Sequence, residues 1–152
     1  MPDPTRLADF VPYLMSVTTN AVSDLIADEY RSTYGLKIPE WRVMAVLGDS
    51  GAHTQRELVH ATRMDKVAVN RACKVLEERS LVRRSPNAQD GRSHHLELTA
   101  SGKTMHGKIM PHALEIEQRL LTPLNAEERV QFVSLLHRIN ASAEALEEGK
   151  TK

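Results

Sequence analysis

The chain has 152 residues, of which 41% are hydrophobic and 26% charged, and its 20 Lys and Arg residues balance its 20 Asp and Glu residues. This length and composition are typical of one compact globular domain and exclude a mainly disordered chain. A single cysteine, Cys73, excludes an internal disulfide and a four-cysteine zinc site. The absence of an apolar run of about 18 residues and of a basic-then-apolar leader predicts a cytoplasmic protein with no membrane partner.

Two helices are predicted at the start of the chain. Apolar residues recur at three- and four-residue steps from Leu7 to Ile26, which predicts an amphipathic helix over about residues 5–33. Gly35 is placed to end this helix, and Pro39 suits the first turn of the next one. The inward face of that second helix is expected to contain Trp41, Met44, Ala45 and Leu47.

Two shorter helices follow. Thr54 and Glu57 have the spacing of a capping box, in which each side chain bonds the backbone N–H of the other residue. They predict a short helix with Leu58, Val59 and Ala61 turned inward.

Asp65 is placed to cap the next helix, which runs from Lys66 to about Arg79. Its apolar side is Val69, Ala72, Cys73 and Leu76, and its opposite side is Val67, Asn70, Arg71, Lys74 and Glu78. One side is therefore expected to be buried and the other to face a partner.

A hairpin and two long helices complete the chain. Leu81–Arg84 and His94–Leu98 have strand character, and the residues from Pro86 to Gly91 have turn chemistry, so we predict a two-stranded hairpin with a long basic tip. Thr99 and Asn125 are placed to cap the two helices. The apolar stripe of the first is Met105, Ile109, Ala113, Ile116 and Leu120, with a kink expected at Pro111. The stripe of the second is Val130, Val133, Leu136, Ile139, Ala143 and Leu146.

The balanced charge is unevenly distributed. Residues 53–95 contain nine Lys and Arg against five Asp and Glu, together with four of the seven histidines. Residues 1–52 contain four cations and seven anions, and residues 96–152 contain seven and eight. A local excess of cations can mark an anion-binding face, although chance clustering on a solvated surface gives the same pattern.

The predicted elements follow the order of a winged helix-turn-helix: a helix, a short helix, another helix and a hairpin. We therefore predict a mainly α fold with a small two-stranded β wing. The major groove of DNA is about 12 Å wide and admits one helix. The helix that begins at Lys66 would lie there, braced by the helix that begins at Thr54, and Arg92 would reach the adjacent backbone or minor groove. The alternative is a plain helical hairpin in which Arg71 and Lys74 are merely solvated.

Several motifs follow one another over about residues 36–102: Glu40-Trp41-Arg42-Val43-Met44-Ala45-Val46-Leu47, Thr54-Gln55-x-x-Leu58, Lys66-Val67-x-Val69-x-Arg71-x-x-x-x-Leu76-Glu77, Leu81-Val82-x-Arg84, Asp90-Gly91-Arg92-Ser93 and Leu96-x-Leu98-Thr99-x-x-Gly102. Together they resemble the MarR (multiple antibiotic resistance regulator) family. The resemblance implies one domain over residues 1–152, with a winged helix-turn-helix lobe at about 36–102 and dimerisation helices at about 5–33 and 103–148. It also implies a homodimeric transcriptional regulator, usually a repressor, which binds pseudo-palindromic double-stranded DNA and is not an enzyme.

By position, the resemblance implies that polar and basic residues of the lobe contact DNA: Thr54, Gln55, Lys66, Val67, Asn70, Arg71, Lys74, Arg84, Asp90, Arg92 and Ser93. Asp90 is expected to orient Arg92 through a charge-assisted hydrogen bond. The chain departs from the family at Ser80, where glycine is usual, and at Gly91, where a second arginine is common. Ser80 is expected to strain the end of the preceding helix slightly.

The first and last helices are expected to pack against a twofold mate, which would set two groove helices about one DNA turn apart; packing within one chain is the alternative. The resemblance further implies a small aromatic effector, namely a carboxylate, phenol or acyl thioester, bound where these helices meet the lobe. Candidate residues there are Met15, Asn20, Trp41 and Arg42. Arg42 would pair a carboxylate and Trp41 would stack a ring. The alternatives are that Trp41 is a core residue and that Arg42 forms an ion pair with Glu40 or another neighbour.

No catalytic residue, metal site or cofactor is expected. The chain has no His-x-x-x-His pair, no Gly-rich phosphate loop and no Gly-x-Ser-x-Gly turn. Cys73 is predicted on an inward face, as a core residue or as a redox switch. Two alternative functions stay open: a redox-sensing regulator that uses Cys73, and a winged-helix module that binds protein and never DNA.

Overall fold

The computed structural model describes residues 1–87 and 89–150, apart from the side chain of Asp90. A single 3-10 turn at Leu7–Asp9 precedes the other elements, which are α1 (Val11–Tyr34), α2 (Ile38–Ser50), α3 (Gln55–Thr62), α4 (Lys66–Glu78), β1 (Val82–Asn87), β2 (Asp90–Leu98), α5 (Ala100–Leu120) and α6 (Ala126–Lys150). This order confirms the predicted mainly α fold with a two-stranded wing. The chain forms two compact units, Met1–Met110 and Pro111–Lys152. None of the described helices has the length and apolar character that crossing a bilayer requires.

The first helix is shorter than predicted. It begins at Val11 and not near residue 5, because Pro12 is tolerated only in the first turn of a helix. Gly35 ends it in the left-handed conformation, with φ of 64°, as predicted.

The inward face of α2 is rotated by one residue from the prediction. Pro39 lies in the first turn, as expected. The buried residues are Glu40, Val43, Met44 and Leu47, at the i, i+3, i+4 and i+7 positions of one face. Trp41 and Ala45, predicted to be buried, are only half-buried.

The capping box of α3 is confirmed. The Thr54 hydroxyl accepts from the backbone N–H of Glu57 at 3.2 Å, and the Glu57 carboxylate accepts from the backbone N–H of Thr54 at 3.1 Å. The prediction for Ala61 is wrong: it is exposed, and Thr62 is buried instead, because Thr62 lies one turn from Leu58 on the same face. The Thr62 hydroxyl donates to the Leu58 carbonyl at 2.6 Å, so it is buried with its hydrogen bond made.

Helix α4 has the two faces that were predicted. Asp65 caps it by accepting from the backbone N–H of Ala68 at 2.8 Å. Its buried residues are Val69, Ala72, Cys73 and Leu76. This face packs against α2 and α3, so the opposite face is left outside the core.

The wing is an antiparallel pair in which Val82 lies opposite Leu98 and Arg84 opposite Leu96. Its strands are longer than predicted, since β1 continues through Pro86 and β2 begins at Asp90. His53 also bridges to Leu96, with N–O distances of 3.0 and 2.7 Å. Strand β2 is therefore paired on both sides at Leu96, and β1 is an edge strand, where proline is tolerated.

The N-terminus of α5 lies close against the start of the wing. Thr99 caps α5, as predicted, by accepting from the backbone N–H of Gly102 at 3.1 Å, and its own N–H bonds the Leu81 carbonyl at 3.0 Å. A Cβ atom at position 102 would overlap that same carbonyl oxygen. Only glycine therefore fits this close approach.

The predicted stripes of the last two helices differ in burial. In α5, Ile109 and Ile116 are buried, whereas Leu120 is exposed. Asn125 and Glu128 form a reciprocal capping box at the start of α6, with bonds of 2.8 and 3.0 Å. Nevertheless, α6 has no buried residue.

Candidate nucleic-acid interface

The outward face of α4 is basic and open to solvent. Its predicted contact residues Lys66, Val67, Asn70, Arg71 and Lys74 are all exposed. Across residues 1–87 and 89–150, none of the three cations on this face has an ion pair. Asn70 accepts a long hydrogen bond, 3.5 Å, from the Gln55 side-chain amide of α3. The face therefore presents an excess of positive charge together with an amide.

An open groove of about 400 Å³ lies between the start of α3 and the wing. Its lining residues are Thr54, Gln55, Arg56, Arg84, Asn87, Arg92, Ser93 and His94. The structure thus brings together five of the predicted contact residues, and none of these eight is acidic. A groove with three arginines is suited to an anionic partner such as a phosphate backbone.

Arg84 has a structural partner besides its place in the groove. Its Nε donates to the Glu77 carboxylate at 2.6 Å, and both side chains are about one-third exposed. This ion pair joins β1 to α4. Arg84 therefore holds the wing beside α4 and is also a candidate DNA contact.

The tip of the wing is described in part. Arg92 is exposed, and the Asn87 amide donates to the Ser93 hydroxyl at 3.1 Å. The side chain of Asp90 lies outside the described part of the chain, so the hydrogen bond expected between Asp90 and Arg92 stays a prediction.

The predicted effector residues are not joined by contacts. Met15 and Asn20 are exposed on α1, and Arg42 is exposed on α2. None of the hydrogen bonds, ion pairs or ring contacts made by the described residues links Met15 or Asn20 to Trp41 or Arg42. The alternative ion pair between Arg42 and Glu40 does not form, since Glu40 is buried and Arg42 lies on a different face.

Trp41 belongs to an aromatic cluster that the sequence did not reveal. Its ring lies 5.6 Å from that of Tyr30, nearly edge-on, and 5.8 Å from that of His106, tilted by 30°. Burial raises the pKa of Tyr30 above its usual value. A Cβ atom at Gly48 would overlap the His106 imidazole, so the glycine leaves room on α2 for this ring from α5.

Cys73 is fully buried, and burial raises the pKa of its thiol to about 11. The thiolate is the reactive form of cysteine, so at neutral pH this side chain is a protonated core residue. The environment argues against the redox-switch alternative. In the part of the chain that the structure describes, no three His, Cys, Asp or Glu side chains are grouped to hold a metal ion.

Comparison with known proteins finds winged-helix regulators. The MarR family profile matches residues 34–93. The transcriptional repressor NicR of Pseudomonas putida is 35% identical over 101 residues, which are 66% of this chain and 64% of NicR, a little under two thirds of its length. The transcriptional regulator HosA of Escherichia coli O157:H7 is 30% identical over 101 residues, which are 66% of this chain and 75% of HosA.

A solved structure shares the fold over most of both chains. It is Bordetella bronchiseptica BpsR, in a study of how 6-hydroxynicotinic acid regulates its DNA binding. This chain is 26% identical to it, with a TM-score of 0.78, over 86% of this chain and 98% of that one.

Proposed function

The chain belongs to the MarR family of transcriptional regulators. From this premise we propose that it is a homodimeric transcriptional repressor that binds pseudo-palindromic double-stranded DNA. The observation that carries the proposal is the exposed basic face of α4, where Lys66, Arg71 and Lys74 form no ion pair with any residue that the structure describes. The protein would act in the cytoplasm by binding alone, without a cofactor.

Each part of the interface has a distinct proposed role. Helix α4 lies in the major groove, where Asn70 is suited to adenine and Arg71 to guanine or phosphate. Arg92 and the groove beside it hold the neighbouring backbone, which positions α4 but carries little sequence information. The Arg84–Glu77 pair keeps these two contacts at a fixed separation.

The proposed dimer is supported by apolar surface on the first and last helices. Leu14 and Val17 of α1 are 45% and 46% exposed, and Leu136 and Ile139 of α6 are 45% and 52% exposed. Contiguous apolar patches are rarely left in water by a monomer. Residues 36–102 would form the DNA-reading lobe of each subunit.

We propose a small aromatic carboxylate, phenol or acyl thioester as the effector that releases the DNA. The support is the half-buried Trp41 with its neighbours Tyr30 and His106. At the next position of α2, Arg42 is exposed and has no partner within the described part of the chain. A ring would stack on Trp41 and a carboxylate would pair with Arg42. The relative BpsR, whose DNA binding is regulated by an aromatic acid, supports this class.

A gel mobility shift with DNA from upstream of the protein's own coding sequence tests the proposal. We expect a Kd on the order of 10⁻⁸ M that rises steeply with salt as counterions are released. Absent or salt-independent binding would contradict DNA binding and favour the protein-binding alternative.

Two variants separate base reading from backbone contact. Arg92→Ala should weaken binding to all sequences, whereas Asn70→Ala should change base preference in a panel of operator variants. Arg31→Ala is the matched control, because Arg31 is exposed on α1 and its side chain has no partner among the described residues. If Asn70→Ala and Arg92→Ala behave alike, the proposed division of roles is wrong.

A further inference from the structure

Gln55 links the start of α3 to the outward face of α4. It is the first residue of α3 and is half-buried. Its side-chain amide nitrogen donates to Asn70 Oδ1 at 3.5 Å, and its side chain also donates a hydrogen bond to the sulfur of Cys73. Asn70 and Cys73 are three residues apart and are therefore neighbours on the surface of α4. Gln55 thus lies against both.

The two partners of Gln55 differ in how firmly they are held. Cys73 is fully buried in the core, so its sulfur is a fixed anchor for the Gln55 side chain. Asn70 is exposed, and its side chain has no other hydrogen bond with the described residues. An exposed side chain without a partner changes rotamer within picoseconds to nanoseconds. The bond from Gln55 therefore restrains a group that would otherwise turn freely.

This bond also decides which end of the Asn70 amide faces which way. The two ends of an amide have nearly the same shape, but one is a donor and the other an acceptor. Because Gln55 donates, it holds the oxygen end of Asn70. A bidentate pair with adenine needs the Asn nitrogen opposite N7 and the Asn oxygen opposite the N6 amino group. With the amide turned over, its oxygen would face N7, which has no hydrogen to donate.

Gln55 is less suited to bind the phosphate backbone itself, although it lines the groove between α3 and the wing. A glutamine amide has two N–H donors, and those of Gln55 are directed to Asn70 and Cys73. Its remaining polar atom is a carbonyl oxygen, which accepts hydrogen bonds as phosphate oxygens do. A direct bond to phosphate would therefore cost Gln55 one of its two contacts.

We propose that Gln55 is a positioning residue for base recognition, which holds the Asn70 amide in the orientation that selects adenine. The inference rests on the proposed function, in which Asn70 lies in the major groove. It means that a residue of α3 affects the base preference of α4 without touching the base.

Gln55→Glu tests the proposal. Glutamate has the same shape, but its carboxylate cannot donate to Asn70 Oδ1, and a negative charge is favourable in the first turn of a helix. The measurement is the ratio of the Kd values for two duplexes that differ only at the base pair whose preference Asn70→Ala abolishes. We expect this ratio to fall by about five-fold or more, since a bidentate pair discriminates between bases by at least that factor.

Arg56→Gln is the matched control for the change in charge. Arg56 is the next residue of α3 and lines the same groove, so its loss should weaken binding to both duplexes alike and leave the ratio unchanged. In the Asn70→Ala background, Gln55→Glu should have no further effect on the ratio, because it acts through Asn70. Gln55→Ala replaces Gln55→Glu as the deciding variant if the latter lowers the melting temperature.

Four results would overturn the proposal. They are an unchanged ratio in Gln55→Glu, an equal fall in Arg56→Gln, a further fall in the Asn70→Ala background, and an Asn70→Ala variant that keeps every base preference.

A measurement on the free protein separates this proposal from the proposed function. NMR relaxation of the Asn70 side-chain amide reports its motion on the picosecond to nanosecond timescale. The order parameter of this amide should fall in Gln55→Glu and stay unchanged in Arg56→Gln. A wild type that binds no DNA would refute the proposed function, and the order parameter would then decide alone whether Gln55 holds Asn70.

Discussion

Ser80 is a strained residue at the junction of α4 and β1. Its φ of 58° lies in the left-handed region, which costs a residue with a Cβ atom about 1–2 kcal/mol. The backbone still makes its bonds there, because the Ser80 N–H donates to the Glu77 carbonyl at 2.9 Å and its own carbonyl accepts from Thr99. The chain thus tolerates backbone strain at position 80, which a glycine there would avoid.

We expect Ser80→Gly to raise the free energy of unfolding by about 0.5–1 kcal/mol, since relief of strain exceeds the added entropy of the unfolded chain. Urea denaturation measures it. Ser80→Ala, which keeps a Cβ atom at this φ, is the control and should bring no gain. Equal midpoints for the glycine and alanine variants would mean that the strain is not relieved.

Glu57 links the stability of α3 to pH. Its bonds with Thr54, aided by the nearby charges of His53 and His95, hold the pKa of its carboxyl below the usual value. Because the pKa of Glu57 is lower in the folded than in the unfolded protein, its ionised carboxylate stabilises the folded state. This contribution to the free energy of unfolding is complete above the unfolded-state pKa of about 4.3 and is lost as pH falls through the folded-state pKa.

Glu57→Gln keeps the capping box but removes the titration. The wild type should therefore lose stability relative to this variant as pH drops below about 4.3, and the difference in urea midpoint should be constant above that pH. A difference that does not change down to pH of about 3 would exclude this carboxyl as the titrating group.

At the scale of an element, α5 contains two glycines with opposite roles. Gly102 meets the Leu81 carbonyl, whereas a Cβ atom at Gly107 would meet nothing within 4 Å. Gly102→Ala should lower the free energy of unfolding by about 1–3 kcal/mol through overlap. Gly107→Ala should raise it by about 0.5–1 kcal/mol, because alanine favours the helix. Thermal unfolding of both variants provides the comparison, and destabilisation by both would contradict the role of the Leu81 contact.

Structural features that depend only on residues within one helical turn of each other could be predicted from the sequence. The Thr54–Glu57 box, the Asp65 cap and the two faces of α4 are examples, since the partners are at most a few residues apart. The exact inward residues of α2 and α3 could not be predicted, because packing partners distant in sequence choose between neighbouring positions. Among the site residues, the family resemblance named five that line the groove between α3 and the wing, but not the groove itself. The packing of His106 on Trp41 could not be predicted, because it depends on the tertiary contact of α5 with α2.

At the scale of the molecule, the apolar residues of α6 test the proposed dimer. The exposed ones are Val130, Phe132, Val133, Leu135, Leu136, Ile139 and Leu146. Leu136→Glu combined with Ile139→Glu places two charges on this surface. Sedimentation should then report a monomer, and DNA affinity should fall by about 10²-fold or more through loss of the second half-site contact.

Ser134→Glu is the matched control, because Ser134 lies on the side of α6 opposite Leu136 and Ile139. It should keep the dimer mass and the DNA affinity. A dimer that persists in the double variant would place the subunit contact elsewhere.

The wing is tied to the helices beside it at two points, through the His53–Leu96 bridge before α3 and the Arg84–Glu77 pair on α4. These two ties couple the position of the wing to that of α4 within one chain. In the proposed dimer, we therefore expect the proposed effector to act mainly on the distance between the two DNA-reading lobes. The response to effector should therefore depend on operator geometry: a spacer lengthened by a base pair or two should bind differently in its presence, while an isolated half-site should be indifferent to it.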